Sequence, residues 1–455
     1  MQIQYYFLAF LAVYSFVTLL LFHYVYQTSQ QIVDEEFHLR QGKHFCQGRF
    51  HIWDPKITTF PGLYLVSALF LSPFKACSVY ALRLTSVVAS IVNAYFIFVI
   101  RKTVAGKRTD ARVLLESVSL ATLPPLYFFS HLYYTDVLSV TMVLMMVYFG
   151  LKEKHNLAAL LAFLAVLMRQ TNIVWVVFFL GWQVSDLAMR LCLPNAGHRY
   201  KLKDLFDTIR ILLTTPRLLY RVLIRSCFFY FGFILNLLAF MVFLYWNGSI
   251  VVGDKTAHVA AVHLPQIFYF SLFFATFSSS VIFTMIRRMV RFASKKWYIT
   301  VIGLALFIWV IQQNTIVHPY LLADNRHYTF YIWNRFFGRW WFARYLPIPF
   351  YYGVVVLLGF LLFAQHNGQQ PPVGFSILWV VASLGSVALQ QLIEVRYFIL
   401  PFLVLRLIQS NVRPSKKLLA MEVALNIAIN GLIFYVFFTK EFYWNDYEEA
   451  QRVIW

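Results

Sequence analysis

The stretch Tyr5-Tyr6-Phe7-Leu8-Ala9-Phe10-Leu11-Ala12-Val13-Tyr14-Ser15-Phe16-Val17-Thr18-Leu19-Leu20-Leu21-Phe22-His23-Tyr24-Val25-Tyr26 contains no Lys, Arg, Asp or Glu. As a helix it reaches about 33 Å at 1.5 Å per residue, enough to cross a hydrocarbon core. It has neither a basic leading segment nor a small-residue cleavage site, so it reads as a retained anchor rather than a signal peptide. Similar apolar runs recur along the 455-residue chain, at residues 79–100, 113–129, 137–151, 157–168 and 173–189. They continue at 227–246, 264–286, 298–317, 348–363, 374–391, 397–407 and 418–438. That makes about thirteen spans in one all-α, polytopic membrane domain over residues 1–455. Residues 61–74 are apolar but too short to cross, and are expected to form a re-entrant or interfacial element.

Composition agrees: 60% of residues are hydrophobic and 13% charged, with a mean hydropathy of +0.65. This excludes a soluble enzyme, a disordered tail and a fibrous repeat. With no room for a separate soluble catalytic domain, chemistry must sit in loops or at span ends. No nucleotide-binding glycine motif occurs. The four cysteines, Cys46, Cys77, Cys192 and Cys227, show no C-x-x-C spacing, and neither a disulfide framework nor a zinc site is expected.

The net charge is +20. Its placement shows topology rather than nucleic-acid binding. Basic residues gather in residues 101–112, around Lys152 and Lys154, in the 190–226 loop, in 287–296 and in 413–417. With this span count all five stretches share one face, which the positive-inside rule makes cytoplasmic and in contact with anionic lipid. The opposite face receives residues 27–60, 130–135, 169–172, 247–263, 318–347, 392–396 and the C-terminal tail. It also carries the sequon Asn247-Gly248-Ser249.

That second face mixes acids, histidines, arginines and aromatics. In the first of its loops, Asp34-Glu35-Glu36-Phe37-His38 has a plain reading as a solvated helix cap opened by Asp34. Its functional reading is a general base, with one carboxylate taking a proton from an acceptor hydroxyl and its neighbours orienting it. Trp53-Asp54-Pro55 suits a sugar, the ring for stacking and the acid for hydroxyls, or else an interfacial aromatic belt. In the 318–347 loop, Asp324-Asn325-Arg326-His327-Tyr328 could hold a phosphate through Arg326 and His327. Asp136, Arg169 and Glu394-Val395-Arg396 sit at span ends on the same face, where ionisable groups are costly unless they pair or face a polar cavity. Together these groups describe a polar cavity for an anionic, hydroxyl-rich ligand.

Asp34-Glu35-x-Phe37-His38, Trp53-Asp54-Pro55-Lys56-Ile57-Thr58-Thr59-Phe60-Pro61-Gly62-Leu63-Tyr64 and Arg169-Gln170-Thr171-Asn172 recur in one known family. So do Leu322-Ala323-Asp324-Asn325-Arg326-His327-Tyr328-Thr329-Phe330-Tyr331 and Glu394-Val395-Arg396-Tyr397-Phe398. In these motifs the sequence resembles the dolichyl-phosphate-glucose α-1,2-glucosyltransferases, which add the third and last glucose to the lipid-linked oligosaccharide of N-glycosylation. The likeness runs from the first loop to about Arg406. It covers neither the basic insert nor the C-terminal tail.

The resemblance implies a C-type glycosyltransferase fold with about 12–14 membrane helices, in the endoplasmic reticulum, with a luminal active site. It implies a dolichyl-phosphate-glucose donor, the diglucosylated high-mannose oligosaccharide on dolichyl pyrophosphate as acceptor, and inverting single displacement. The base would be Asp34 or Glu35, with Asp34 favoured. Glu36 departs from the pattern, where the family is usually apolar, and adds a third acid beside the base. Arg326, His327, Arg396 and His38 would bind the donor phosphate. Trp53, Asp54, Asp324, Asn325, Tyr328, Asp136, Arg169 and Glu394 would bind sugar or acceptor. A monophosphate donor needs no metal to neutralise a diphosphate, so no metal site and no cofactor are expected. The expected partners are the lipid-linked donor and acceptor and the membrane lipids, without nucleic acid; the sequence names no protein partner. Three alternatives remain: a flippase or transporter of a lipid-linked sugar, a non-catalytic partner such as a channel modulator, and a sister enzyme of the same fold that transfers mannose or another glucose. The first would place charges at midspan and often carry an internal repeat; the second would not need the Asp34–Glu35 cluster.

Overall fold

A computed structural model describes residues 2–29, 32–194, 200–255, 261–365, 370–444 and 450–455. In chain order the helices are α1 (Gln2–Thr28), α2 (Glu35–Cys46), α3 (Gly62–Leu71), α4 (Val79–Ala105), α5 (Ala111–Ala121), α6 (Pro124–Phe129) and α7 (Thr135–Leu151). Next come α8 (His155–Met168), α9 (Ile173–Cys192), α10 (Leu202–Thr214), α11 (Pro216–Phe229), α12 (Phe231–Asn247), α13 (Pro265–Phe277) and α14 (Ser279–Lys295). The last are α15 (Trp297–Asn314), α16 (Pro319–Ala323), α17 (Tyr328–Ile332), α18 (Ile348–Phe363), α19 (Val373–Val387), α20 (Ile399–Ile408) and α21 (Lys416–Thr439). Two short strands, β1 (Glu441–Phe442) and β2 (Gln451–Arg452), pair antiparallel in the tail.

Among the described residues five helices are long and apolar enough to cross a membrane, or seven if each of two bent pairs counts as one span. Shorter apolar helices, α7, α8, α18 and α19 among them, complete the bundle. The chain is an all-α, polytopic membrane protein, as its apolar periodicity implied. These five to seven are fewer than the thirteen expected spans, because the other apolar runs form helices of fewer than 18 residues, and three of the runs are not straight. Residues 264–286 bend by 108° between α13 and α14. The latter helix is amphipathic, burying Val281 and Met285 while carrying Arg287, Arg288, Arg291 and Lys295, which suits a membrane surface. Residues 227–229 belong to α11, which meets α12 at 82°. Pro124 and Pro125 interrupt residues 113–129, since proline cannot continue a helix.

The 190–226 segment is not a plain loop. Outside residues 195–199, which are not described, it forms the end of α9, α10 and most of α11. Phe206, Leu213 and Leu223 are exposed there beside Arg210, Arg217, Arg221 and Arg225. This is the pattern of helices lying in an interface.

The long helix α4 fixes the two faces. Near its start Arg83 pairs with Glu35, and near its end Arg101 pairs with Glu116. Eighteen residues of helix put these about 27 Å apart, close to the thickness of a hydrocarbon core. At the second, basic face Arg101 also donates to the carbonyls of Leu407 and Gln409, and Arg413 to that of Arg108. Two of the basic stretches therefore meet there.

Cys46 and Cys77 form a disulfide with 5.8 Å between their Cα atoms. This corrects the expectation from spacing: the two cysteines are 31 residues apart, and only the return of the chain brings them together. The same return settles α3. The chain leaves α2, enters α3, turns at Lys75 with a positive φ of 51° and comes back to the start of α4. The segment therefore does not cross, as its length required. A Cβ on Gly62 would collide with the main chain of Leu167, so only glycine lets α3 lie this close to α8.

Candidate active site

Asp34 stands at the N-cap position of α2, yet its side chain accepts no bond from the first turn of that helix. Asp34 thus opens α2, as its plain reading holds, but without the side-chain bond of a cap, and the residue is left accessible. The residue before it, Val33, has φ 44°. A β-branched residue in the left-handed region is strained, and such strain concentrates at functional sites. The surrounding protein pushes the Asp34 carboxyl above the usual range, and Glu394 pushes the same way. Arg396, His327 and Arg326 oppose them.

Glu35 faces the other way. It is fully buried and takes a two-point ion pair from Arg83, Nε to Oε1 at 2.8 Å and Nη2 to Oε2 at 2.6 Å. The Tyr133 amide also donates to Oε1 at 2.6 Å. Arg83 is completed by the carbonyl of Ser29 at 2.8 Å. Three donors hold the two oxygens of Glu35 and no solvent reaches it, so it anchors α2 rather than meeting a substrate. Glu36 pairs with Arg40 one turn on.

Around Asp34 the ends of other helices bring in two arginines. Asp136, in the first turn of α7, is buried and pairs with both Arg169 and Arg396, the latter at 3.5 Å. Arg396 also meets Glu394 at 2.6 Å and lies over the rings of Phe129 and Tyr134, its guanidinium carbon 5.2 and 5.3 Å from their centres. Arg169 lies 5.9 Å from the ring centre of Tyr397. Asp136, Arg169, Asn172, Trp175, Arg396 and Tyr397 help line a cavity of about 50 Å³, room for a few waters. A smaller one, about 30 Å³, lies at the basic face among Arg101, Arg108, Arg112 and Glu116. The length of α4 separates it from this cluster, so it is no part of the site.

The 318–347 loop supplies a second wall. Arg326 grips Asp324 at both oxygens, 2.9 and 2.8 Å, and lies over the ring of Trp444 at 4.3 Å. Burial raises the Asp324 carboxyl, but the bonds from Arg326 and the nearby His327 outweigh it and hold the carboxyl below its usual range. His327 Nε2 lies 3.7 Å from Asp324, while Nδ1 donates to the main-chain oxygen of Trp455 at 3.0 Å. Arg326 is thus largely committed within the protein. Arg169 and Arg396 are the cations that border the open cavity.

His38 shares a 2.6 Å hydrogen bond with the Tyr64 hydroxyl. Burial, then Arg396, pushes its pKa down to about 4, with Asp136 opposing. It is neutral near pH 7 and offers a hydrogen bond rather than charge. Trp53 packs edge-on to Phe45 and Tyr64. The Asp54 amide is held by Gln41, and Asp54 Oδ1 accepts from the Lys56 amide. Trp53 and Asp54 therefore flank the far end of α2 and do not join the arginine cluster directly.

Several buried polar atoms here have no partner: Tyr134 Oη, Arg396 Nε, Asn325 Oδ1, Tyr328 Oη and Trp53 Nε1. Such atoms occur elsewhere in the bundle too, at His155, Ser226 and Asn426, and those at the site are donors and acceptors open to water or a polar ligand. Among the described residues no three His, Cys, Asp or Glu side chains converge to hold a metal ion.

Sequence reasoning missed Arg83, Tyr134 and Gln451. A signal for Arg83 existed, because an arginine inside an apolar span demands a partner. Tyr134 lies in the 130–135 stretch, where nothing in the sequence separates it from Tyr133. For Gln451 nothing in the tail gave a signal.

The DIE2/ALG10 family model matches residues 28–407. A Drosophila melanogaster protein named Dol-P-Glc:Glc(2)Man(9)GlcNAc(2)-PP-Dol alpha-1,2-glucosyltransferase is 42% identical over 446 residues, covering 96% of each chain. A Rattus norvegicus protein of the same name is 34% identical over 485 residues, covering 99% of each. A Homo sapiens one is 31% identical over 449 residues, covering 93% of each. No solved structure matches this chain.

Proposed function

Because this chain belongs to the DIE2/ALG10 family, we propose that it transfers the terminal glucose in α-1,2 linkage from dolichyl-phosphate-glucose to the diglucosylated oligosaccharide on dolichyl pyrophosphate. The observation that carries the mechanism is the contrast at Asp34: an accessible carboxylate, raised above its usual range, beside a buried neighbour that Arg83 has consumed.

The Asp34 carboxylate removes the proton from the acceptor hydroxyl. That oxygen attacks the anomeric carbon of the donor glucose from the face opposite the phosphate. The bond from the anomeric carbon to the phosphate oxygen breaks, and dolichyl phosphate leaves with the electron pair. One displacement inverts the centre, so a β-linked donor gives the α product. Charge builds on the departing phosphate, where Arg396 and Arg169 are placed to stabilise it. Their cavity is also lined by Trp175, Ile399 and Leu400, which suit the start of a polyisoprenyl chain. Arg326 and His327 act on the same charge at longer range and frame the wall with Asp324, Asn325 and Tyr328. A leaving group that carries a single phosphate is served by two arginines, so the reaction runs without a metal.

The protein works in the endoplasmic reticulum membrane with this site in the lumen. Three observations support that orientation. The Cys46–Cys77 disulfide lies on the site face, whereas Cys192 and Cys227 stay free on the basic face, matching an oxidising and a reducing side. The basic stretches lie opposite the site. The sequon segment packs against the first loop, Val252 N donating to Thr58 O at 3.2 Å and Asp254 N to Pro55 O at 2.8 Å.

The test is transfer by detergent-purified protein from a dolichyl-phosphate-glucose analogue to the diglucosylated acceptor in EDTA. An α-1,2-glucosylated product is expected. No transfer by a folded, monodisperse protein would overturn the reading, and transfer only on adding a divalent ion would overturn the metal-free mechanism.

A further inference from the structure

The tail that carries no family motif reaches the site. β2 places Gln451 and Arg452 opposite Phe442 and Glu441. Arg452 pins the strand through Glu441 at 2.8 Å and the Phe438 carbonyl at 3.0 Å. Beyond it the tail runs beside the 318–347 loop. Ile454 N donates to Arg326 O at 2.7 Å, Tyr328 N donates to Ile454 O at 3.2 Å, and the rings of Tyr328 and Trp455 lie 5.4 Å apart. Gln451, Val453 and Ile454 are buried.

One atom of this tail connects the two walls. Gln451 Oε1 accepts from the Val33 amide and from Arg326 Nη1, each at 3.3 Å. An amide oxygen has two lone pairs and can serve both donors. Val33 is the strained residue directly before Asp34, and a strained backbone persists only where its surroundings over-determine it. We propose that Gln451 is a positioning residue for the transfer: its side-chain oxygen clamps the left-handed Val33 and ties the first loop to Arg326, holding Asp34 where the acceptor hydroxyl must lie. This rests on the reading of Asp34 as the base.

The proposal separates geometry from substrate affinity. The two bonds that the Gln451 oxygen accepts come from Val33 and Arg326, and neither residue lines the arginine cavity, so loss of that oxygen should misplace the base more than it weakens substrate binding. A displacement of about 1 Å costs on the order of 10²-fold in rate.

The experiment compares wild type with Gln451→Ala and Gln451→Glu, the second keeping an acceptor oxygen in place. Steady-state glucose transfer and hydrogen exchange of the peptide 32–37 are read in the same preparations. For Gln451→Ala, kcat should fall about 10²-fold with donor and acceptor KM within about 3-fold. Exchange in 32–37 should accelerate while α4 and α7 stay protected. Gln451→Glu should keep most of the protection and recover most of the rate. Unchanged kcat and exchange in Gln451→Ala would overturn the proposal. So would a loss spread over all helices with KM and melting temperature falling together, since that is a purely structural role. If wild type transfers no glucose, the functional reading fails. Local exchange then still decides the clamp: protection of 32–37 kept in Gln451→Ala overturns it, and protection lost there alone supports it.

Discussion

Arg83 holds Glu35 at both carboxylate oxygens, and neither side chain reaches solvent. Asp34, one residue earlier, is accessible. Successive residues at a helix start point about 100° apart. The arginine from α4 therefore takes one acid and turns the other toward the cleft. Three adjacent acids thus have three fates: Asp34 open, Glu35 buried, Glu36 paired on the surface with Arg40.

Glu35→Gln should be a stability variant before it is a catalytic one. It leaves Arg83 buried without its counter-charge, a loss of about 3–5 kcal/mol. Thermal unfolding in detergent should show a clear fall in melting temperature. The double variant Glu35→Leu, Arg83→Met should recover much of it, because removing both charges leaves none unpaired.

The acid limb of kcat/KM reports Asp34. A base must be ionised to accept a proton, and this carboxyl is raised, first by the protein packed around the opening it faces and then by Glu394, against Arg396, His327 and Arg326. The rate should therefore fall on acidification at a pH above the ordinary aspartate value of about 3.9. Glu394→Gln removes a charge that raises Asp34, so it should move the limb to lower pH. His38, held at about 4, should add no step near pH 6.5, and the limb should survive His38→Gln. A wild-type limb below the ordinary aspartate value would contradict this.

The bundle was legible because apolar runs of span length need no tertiary information. The bends at 264–286 and at 227–231 were not, because an amphipathic interfacial helix and a span share the same hydrophobic residues and differ only in how charges are spaced around the axis. The disulfide escaped because Cys46 and Cys77 are brought together by the re-entrant α3, not by local spacing. At the site, the motif residues Asp34, Asp136, Arg169, Glu394 and Arg396 do converge. What the sequence did not separate is Asp34 from Glu35. That depends on Arg83, 48 residues away, and on the backbone twist at Val33. Arg326 and Arg169 exchange emphasis for a similar reason: Asp324 and Gln451 occupy the first, while the second borders the open cavity.

Arg396→Lys and Arg169→Lys should each lower kcat by roughly 10–10³-fold, because a lysine keeps the charge but loses the planar fork and the ring stacking. The donor KM should rise and the acceptor KM should change less. Initial-rate kinetics with each substrate varied would show it. Equal changes in both KM values would place these arginines away from the donor phosphate.

Cys46→Ser, Cys77→Ser and the double variant should lose the same stability, about 2–4 kcal/mol, since each removes one shared bond. Thermal unfolding checks the equality. Mass spectrometry under non-reducing conditions should find the 46–77 link, with Cys192 and Cys227 alkylated as free thiols. A free Cys46 in protein from an oxidising compartment would contradict the fold around α3.

The most direct measurement is glucose transfer by Asp34→Asn beside Glu35→Gln, both purified, folded and assayed with EDTA. Asp34→Asn should lose about 10²–10⁴-fold in kcat at unchanged melting temperature, while Glu35→Gln should lose stability and keep activity in its folded fraction. Full activity in Asp34→Asn, or a stable but inactive Glu35→Gln, would contradict the reading of Asp34 as the base.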